Sequence, residues 1–461
     1  MACIRSRSKI WYEGLVLLVL IEGWILPKPG WGAFASQFSL NVEEQYNDNI
    51  FFTRNKEHDF VTSFTPTLSF LYAPEGQVDP TGRLNISPRG QIYARHSELN
   101  NFGDNLSVNG AYTYHYSPRL NFNISDTFQR LGQTRTAGLG GQEPLPLTGP
   151  VTSPPPPGGI VPPPRSQDLK DFVSRGDQIT NSFSLQASYL YRPDIRLAGG
   201  YTHAYTNFID QGGSDFFHTI GARGIYNWRR DHNLHAGYFI SIGNFRNGDD
   251  SIIHNFDFGD DYFTDYKLQL TPTLSLTAST GVSFNTGSGG PRVANNTHIT
   301  VTKLWETATL NAGLQKGLTP SFGISGVSDT TTLFTNFIMR FTERLSANSG
   351  VNFSLFDTRE VNFKTFQGTV GLQYLLATWL SSALNYNFRW IDTGAGASNT
   401  DLLSRGQVKA NSVFLSLTAR FDLWPNVRLA RSVDAPLLTP ILRTPFADSP
   451  PVPSSSASPN P

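Results

Sequence analysis

The chain has 461 residues, 13% aromatic and 16% charged, with 33 Phe, 36 basic against 36 acidic side chains, and one cysteine. Balanced charge excludes the electrostatic footprint of a nucleic-acid binder. Cys3 falls in a segment expected to be removed, which excludes disulfides, thiolate metal sites and a cysteine nucleophile from the remaining chain. Mean hydropathy is −0.26, and beyond the N-terminal segment no apolar run approaches the ~18 residues of a membrane helix.

Residues 1–35 predict a secretory signal peptide. Arg5, Arg7 and Lys9 form its basic start, residues 15–21 its apolar centre, and Ala33-Phe34-Ala35 an A-x-A cleavage site before Ser36. A retained anchor fits less well, because Glu22 interrupts the apolar run and Pro27, Lys28 and Pro29 follow it.

From Ser36 onward the chain alternates apolar and polar residues, the period of a strand with one greasy and one wet face. Phe38, Leu40 and Val42 begin it, and Phe60, Phe64, Leu68 and Phe70 continue, with Pro66 predicting a bulge or kink. Residues 84–94 make a poorer strand, broken by Pro88 and Gly90. Segments 105–116 and 120–129 answer each other across Ser117-Pro118-Arg119, and 183–191 pairs with 195–205 across Arg192-Pro193-Asp194. Further hairpins follow at 220–242, 256–284, 299–314, 333–355 and 370–388. The last strand, 412–424, puts Val413, Leu415, Leu417, Ala419, Phe421 and Leu423 on one face. Ser412, Ser416, Thr418, Arg420 and Asp422 take the other, with Phe414 as the one breach. The count is about 18 strands (16–18), and an even number is expected of a bacterial single-chain barrel.

Tight turns alternate with longer polar connections at 47–58, 206–216, 244–252, 286–296, 317–329 and 391–407. Short periplasmic turns and long external loops are the asymmetry of a transmembrane antiparallel up-and-down β-barrel. With both ends periplasmic, Trp228, Trp305, Trp379 and Trp424 fall at the periplasmic level and Trp390 at the outer one, as an interfacial girdle requires. The barrel is therefore expected over 36–424, in the outer membrane of a Gram-negative bacterium after export. Residues 131–177 read as a Pro-rich extracellular loop, and 425–461 as a Pro/Ser-rich disordered periplasmic tail.

Glu44-Gln45-Tyr46-Asn47-Asp48-Asn49-Ile50-Phe51, Leu270-Thr271-Pro272-Thr273-Leu274 and the Arg-Pro-Asp turn at 192–194 resemble the β-barrel porin 2 family of outer-membrane barrels. That resemblance, over 36–424, implies the fold, the location and, for some members, association with exopolysaccharide and exosortase systems.

Candidate lumen-lining residues are Asn121, Asn123, Arg196, Arg223, Asp257, Asp261, Asp265, Arg340 and Arg420. Asp257, Asp261 and Asp265 share a face by parity, either as a Ca²⁺ or cation-biasing cluster or as solvated wall charges. His232 and His235 point to opposite faces and read as solvated turn histidines, so neither a triad nor a chelate is expected. No cofactor and no catalysis are expected. Partners are outer-membrane lipid, the barrel-assembly machinery, and small polar solutes or polysaccharide, with no nucleic acid and oligomeric state open. Three readings remain: a porin-like channel, associated through the resemblance with exopolysaccharide export; a structural barrel plugged by its own Pro-rich segments; and, least favoured, a barrel enzyme, which would need a rim Ser or His.

Overall fold

The computed structural model describes residues 32–74, 81–132, 177–209, 212–229, 232–245, 250–263, 274–287, 291–320, 327–358, 362–393 and 406–424. The expectations for 1–31, for most of 131–177, for 425–461 and for Asp265 lie outside them. The strands begin with β1 (Gly32–Asn47), β2 (Asp59–Pro74), β3 (Gly82–Tyr93), β4 (Asn101–Ser117), β5 (Leu120–Leu131) and β6 (Gln178–Arg192). Next come β7 (Ile195–Phe208), β8 (Ser214–Arg229), β9 (His232–Asn244), β10 (Asp250–Phe263), β11 (Leu274–Asn285) and β12 (Arg292–Leu304). The last are β13 (Ala308–Pro320), β14 (Val327–Arg340), β15 (Leu345–Asp357), β16 (Asn362–Ala377), β17 (Leu380–Thr393) and β18 (Gly406–Trp424). A single 3-10 turn, Ser97–Leu99, sits between β3 and β4 among the described residues.

Each strand pairs antiparallel with the next, and β1 pairs with β18, so the 18-stranded sheet closes on itself. Closure leaves no row of backbone N–H and C=O groups facing hydrocarbon, which would cost several kcal/mol per group. The seam runs from Ser36↔Trp424 to Asn47↔Ser412, with one register shift between Ser36 and Gln37. β1 starts ahead of the expected cleavage before Ser36. Alternation simply runs on: Ala33, Phe34 and Ala35 pair with Ala73, Tyr72 and Leu71, and Ala35 is buried with Leu71 and Ala73.

The register sorts side chains into two faces. Val413, Leu415, Leu417 and Phe421 of β18 are exposed on the outer face, with Leu384 and Tyr386 of β17 and Val370 and Leu372 of β16 beside them. Ser412, Phe414 and Ser416 turn inward and are buried, so the Phe414 breach is an inner-wall ring at 8% exposure. The end holding the start of β1 and the end of β18 is the proximal end. It carries the five shortest connections, 118–119, 193–194, 230–231, 305–307 and 378–379, and also 341–344. Two of these turns use one device. The Ser117 hydroxyl accepts from the Leu120 N–H at 3.1 Å, and Thr342 Oγ1 accepts from the Leu345 N–H at 3.0 Å. Exposed Tyr116, Tyr191, Trp228, Trp305, Tyr374 and Trp379 ring this end, the level amphipathic rings prefer at a bilayer surface.

Two local features depart from the sequence reading. Pro66 of β2 and Pro88 of β3 fall opposite each other, and the β2–β3 ladder stops at Phe64↔Gly90 and resumes at Leu68↔Ile86. Neither proline has an N–H to give. β3 nonetheless runs unbroken, with a register shift at Arg89/Gly90 against β4. At the distal end several polar runs read as loops are strand instead: Thr206↔Asp215 and Asn207↔Ser214 extend the β7–β8 ladder. Beyond the apolar band both faces meet water, and backbone pairing is indifferent to side-chain polarity there.

Candidate functional site on the inner wall

The inner wall is polar along most of its length. Asn121 and Asn123 face inward on β5, accepting hydrogen bonds from His115 Nδ1 at 2.7 Å and Thr113 Oγ1 at 3.0 Å. Arg196, Arg340 and Arg420 face inward near the proximal end of β7, β14 and β18, paired with Ile225, Ser346 and Ser39 across the sheet. They are spread around the wall rather than gathered.

Arg223, Asp257 and Asp261 do come together, and they bring His235 with them. The register places Arg223 on β8, His235 on β9 and Asp257, Gly259 and Asp261 on β10 side by side on the inner face. The Arg223 guanidinium is ion-paired with Asp257 and lies 5.6 Å from the Phe239 ring centroid. The His235 ring sits between the carboxylates, Nε2 3.7 Å from Asp257 and Nδ1 3.7 Å from Asp261. Among the described residues neither ring nitrogen has a hydrogen-bond partner. A recess of about 70 Å³ opens here, lined by Arg223, His235, Asp257, Ser279, His298 and Gln315. Its lining is polar and it is large enough to admit water to the imidazole.

Glycines make the seats. A Cβ on Gly259 would fall 2.7 Å from His235 Nε2 and overlap the Ala278 carbonyl, so the imidazole lies in space only glycine leaves. A Cβ on Gly237 would overlap Asp257 Oδ1, and one on Gly221 would overlap the Phe239 ring. Gly259→Ala is expected to push His235 out of its seat and lower the temperature at which the folded barrel unfolds on a heat-modifiability gel. An unchanged transition would show that the seat is loose.

His235 corrects the sequence reading. It does face away from His232, which bonds Asp260 at 2.6 Å on the outer face, but it is 3% exposed rather than a solvated turn residue. Asp257 and Asp261 are engaged with Arg223 and His235. Among the described residues no group of three or more His, Cys, Asp or Glu side chains is arranged to hold a metal ion. A second wall pair carries no sequence signal: Arg89 Nη2 donates to Glu43 at 3.1 Å and to Ser63 Oγ at 3.1 Å. Parity puts His235, Asp257 and Asp261 on one face, but their level is set by the β9–β10 ladder that closes at Asp250↔Asn244, which no turn motif marks. No sequence signal announces the glycine seats.

The distal mouth is built by the first two loops. Asn49 of the Tyr-Asn-Asp-Asn stretch donates to the carbonyls of Thr53 at 2.7 Å and Lys409 at 2.9 Å. Asp48 accepts from the backbone N–H of Asn411 at 2.6 Å and from its side chain at 2.8 Å. Burial pushes the Asp48 carboxyl up, but the Asn411 bonds and Lys56 outweigh it and hold the group below its ordinary range. Asp59, fully buried, accepts from the N–H groups of Phe60, Arg95 and His96 and from His96 Nδ1 at 2.9 Å. Ile50 and Leu99 pack on Val61 and Tyr93, which face inward, so both loops fold over the inner wall at the mouth.

No family model matches the chain, and no curated relative does. Among solved structures it is similar to Pseudomonas aeruginosa OccK2 (OpdF) in complex with glucuronate, with 12% identity over 85% of this chain and 98% of that one and a TM-score of 0.43. OpdK of the same organism with vanillate gives 12% identity, 84% and 98% coverage and a TM-score of 0.41. The anion-selective porin from Comamonas acidovorans gives 10%, 85%, 100% and 0.36. At these values the likeness is one of general outline. The chain's own register and faces define its class: a closed, antiparallel, 18-stranded transmembrane β-barrel.

Proposed function

We propose that this barrel is a porin-like channel of a Gram-negative outer membrane, passing small polar solutes, with its proximal end in the periplasm. The observation that carries the reading is the closed 18-stranded wall with amide, hydroxyl and guanidinium groups on its inner face. Barrels of roughly 16–18 strands leave an aqueous lumen, and Asn121, Asn123, Arg196, Arg223, Asp257, Asp261, Arg340 and Arg420 are its proposed lining, with Asp265 added from sequence. The girdle residues Trp228, Trp305, Trp379, Trp390 and Trp424 are proposed to mark the two lipid–water levels. Kinship with the β-barrel porin 2 family and a role in exopolysaccharide export belong to the same proposal, as do assembly by the barrel-assembly machinery and the absence of catalysis.

Single-channel recording of residues 36–461 in a planar bilayer tests it. Uniform conductance steps are expected, and complete silence from correctly inserted barrels would reject the channel. The inward-folded loops at the mouth favour a second reading, a plugged barrel, which predicts silence relieved by removing 48–58 or 136–166. Export would show as loss of surface polysaccharide in a knockout. Cleavage before Ser36 is read by N-terminal sequencing, and a start at or before Gly32 would overturn it and leave β1 whole.

A further inference from the structure

The outer face is not uniformly apolar. Around most of the barrel the middle of each strand carries aliphatic or aromatic residues, and Leu372↔Leu384↔Leu415 is one such row across β16, β17 and β18. Single polar contacts interrupt it elsewhere, Glu44 with Thr62 on β1–β2 and His254 with Tyr238 on β9–β10, but on β5 to β8 the break is a whole row. Asp126↔Phe183↔His203↔His218 forms a single row across four strands, on the face that carries Ile124, Leu197 and Ile220. Asn181 donates to Asp126 at 2.8 Å, the two imidazoles stack with centroids 4.5 Å apart, and the Tyr201 hydroxyl lies 2.8 Å from His218 Nδ1. Four residues nearer the proximal end on β6, β7 and β8 lies a second row, Ala187↔Gly199↔Ala222, with Gly224 beside it. The chain thus places a carboxylate and two imidazoles in the lipid-facing band, above a flat patch of small residues.

We infer that this face is covered by a second copy of the same chain, making a homo-oligomer through β5–β8. Ionisable groups facing lipid are costly and mark contact sites by default. The patch carries an acid and two bases, so it is complementary to itself, as an isologous contact requires. A partner must also cross the same hydrocarbon thickness and present polar groups at the same depth, which a second copy does by construction. Small side chains then let two walls approach closely. A lipid phosphate is a poorer occupant: it sits at the interface, and Asp126 would repel it.

The chain's one natural cysteine, Cys3, makes the test clean. In a Cys3→Ser background, Ala187, Gly199, Ala222 and Gly224 are changed singly to cysteine; at Gly199 and Gly224 an added Cβ meets only open space or ordinary contact. Outer membranes are then treated with a short bis-maleimide. A covalent dimer is expected from at least one of these positions and none from Leu415→Cys on the opposite face. No dimer from any of the four, or equal dimer from Leu415→Cys, would overturn the inference. Native mass spectrometry of the unaltered protein in mild detergent is the second measurement. It should give a multiple of the monomer mass that is lost in Asp126→Leu/His203→Leu/His218→Leu. Monomer alone, bare or carrying lipid, would also overturn it.

Discussion

Asp257→Asn is expected to destabilise the barrel and turn its ion preference toward anions. The substitution keeps the side chain's shape over Gly237 but removes the charge that Arg223 is paired with and that lies 3.7 Å from His235. Breaking a buried ion pair from one side typically costs about 3–5 kcal/mol, because the remaining charge stays desolvated. Water entering the recess will bring the loss toward the lower figure. The wall gains one net positive charge, so the reversal potential under a salt gradient should move toward that of chloride. Arg223→Gln combined with Asp257→Asn should recover much of the stability, since neither charge is then left alone. If Asp257→Asn leaves the reversal potential where it was, the cluster does not face the conducting path.

Asp59→Ala is the other large effect, and it acts at the mouth. The carboxylate serves the backbone N–H groups of Phe60, Arg95 and His96. An orphaned buried donor costs roughly 1–3 kcal/mol, so loops 48–58 and 94–100 should come away from the wall together. Protection of the 95 and 96 amides in hydrogen exchange should collapse in the variant. The wild type should show a milder form of this with pH. The bond to Asp59 holds the His96 imidazole above its ordinary range, with burial opposing and Glu57 adding to it. A raised histidine contributes its full stabilisation below its ordinary value and loses it as pH rises through the raised one. Protection factors at 95 and 96, which correct for the base catalysis of exchange itself, should therefore hold below about pH 6.5, the ordinary histidine value, and fall above it. A flat profile would mean that Asp59 holds the loops through its backbone bonds alone.

Alternation along single strands made the barrel legible. Val413 to Leu423 on one face and Ser412 to Asp422 on the other follow from period two, whatever the neighbours are. The turns at 117–119 and 192–194 announced themselves through Pro, Ser and Asp. The His235 seat was hidden because it depends on two strands and their register at once: a histidine on β9, an aspartate–glycine–aspartate rhythm on β10, and the ladder that aligns them. The strand ends were misjudged for the opposite reason. Thr206, Asn207, Ser214 and Asp215 look like loop by side chain and are ladder by backbone. The outward row of Asp126, His203 and His218 lay in plain parity, yet only the ladder across four strands shows that the three side chains share one row.

The latch between Asp48 and Asn411 joins positions 363 residues apart in sequence. During assembly the first loop therefore cannot take its final form until the last strand has arrived. Until then β1 and β18 are both open edges, the state in which sheets recruit foreign strands. Loop 48–58 is thus a completion marker. A protease that cuts it only in unfinished barrels would distinguish a chain still zipping from one whose ring has shut.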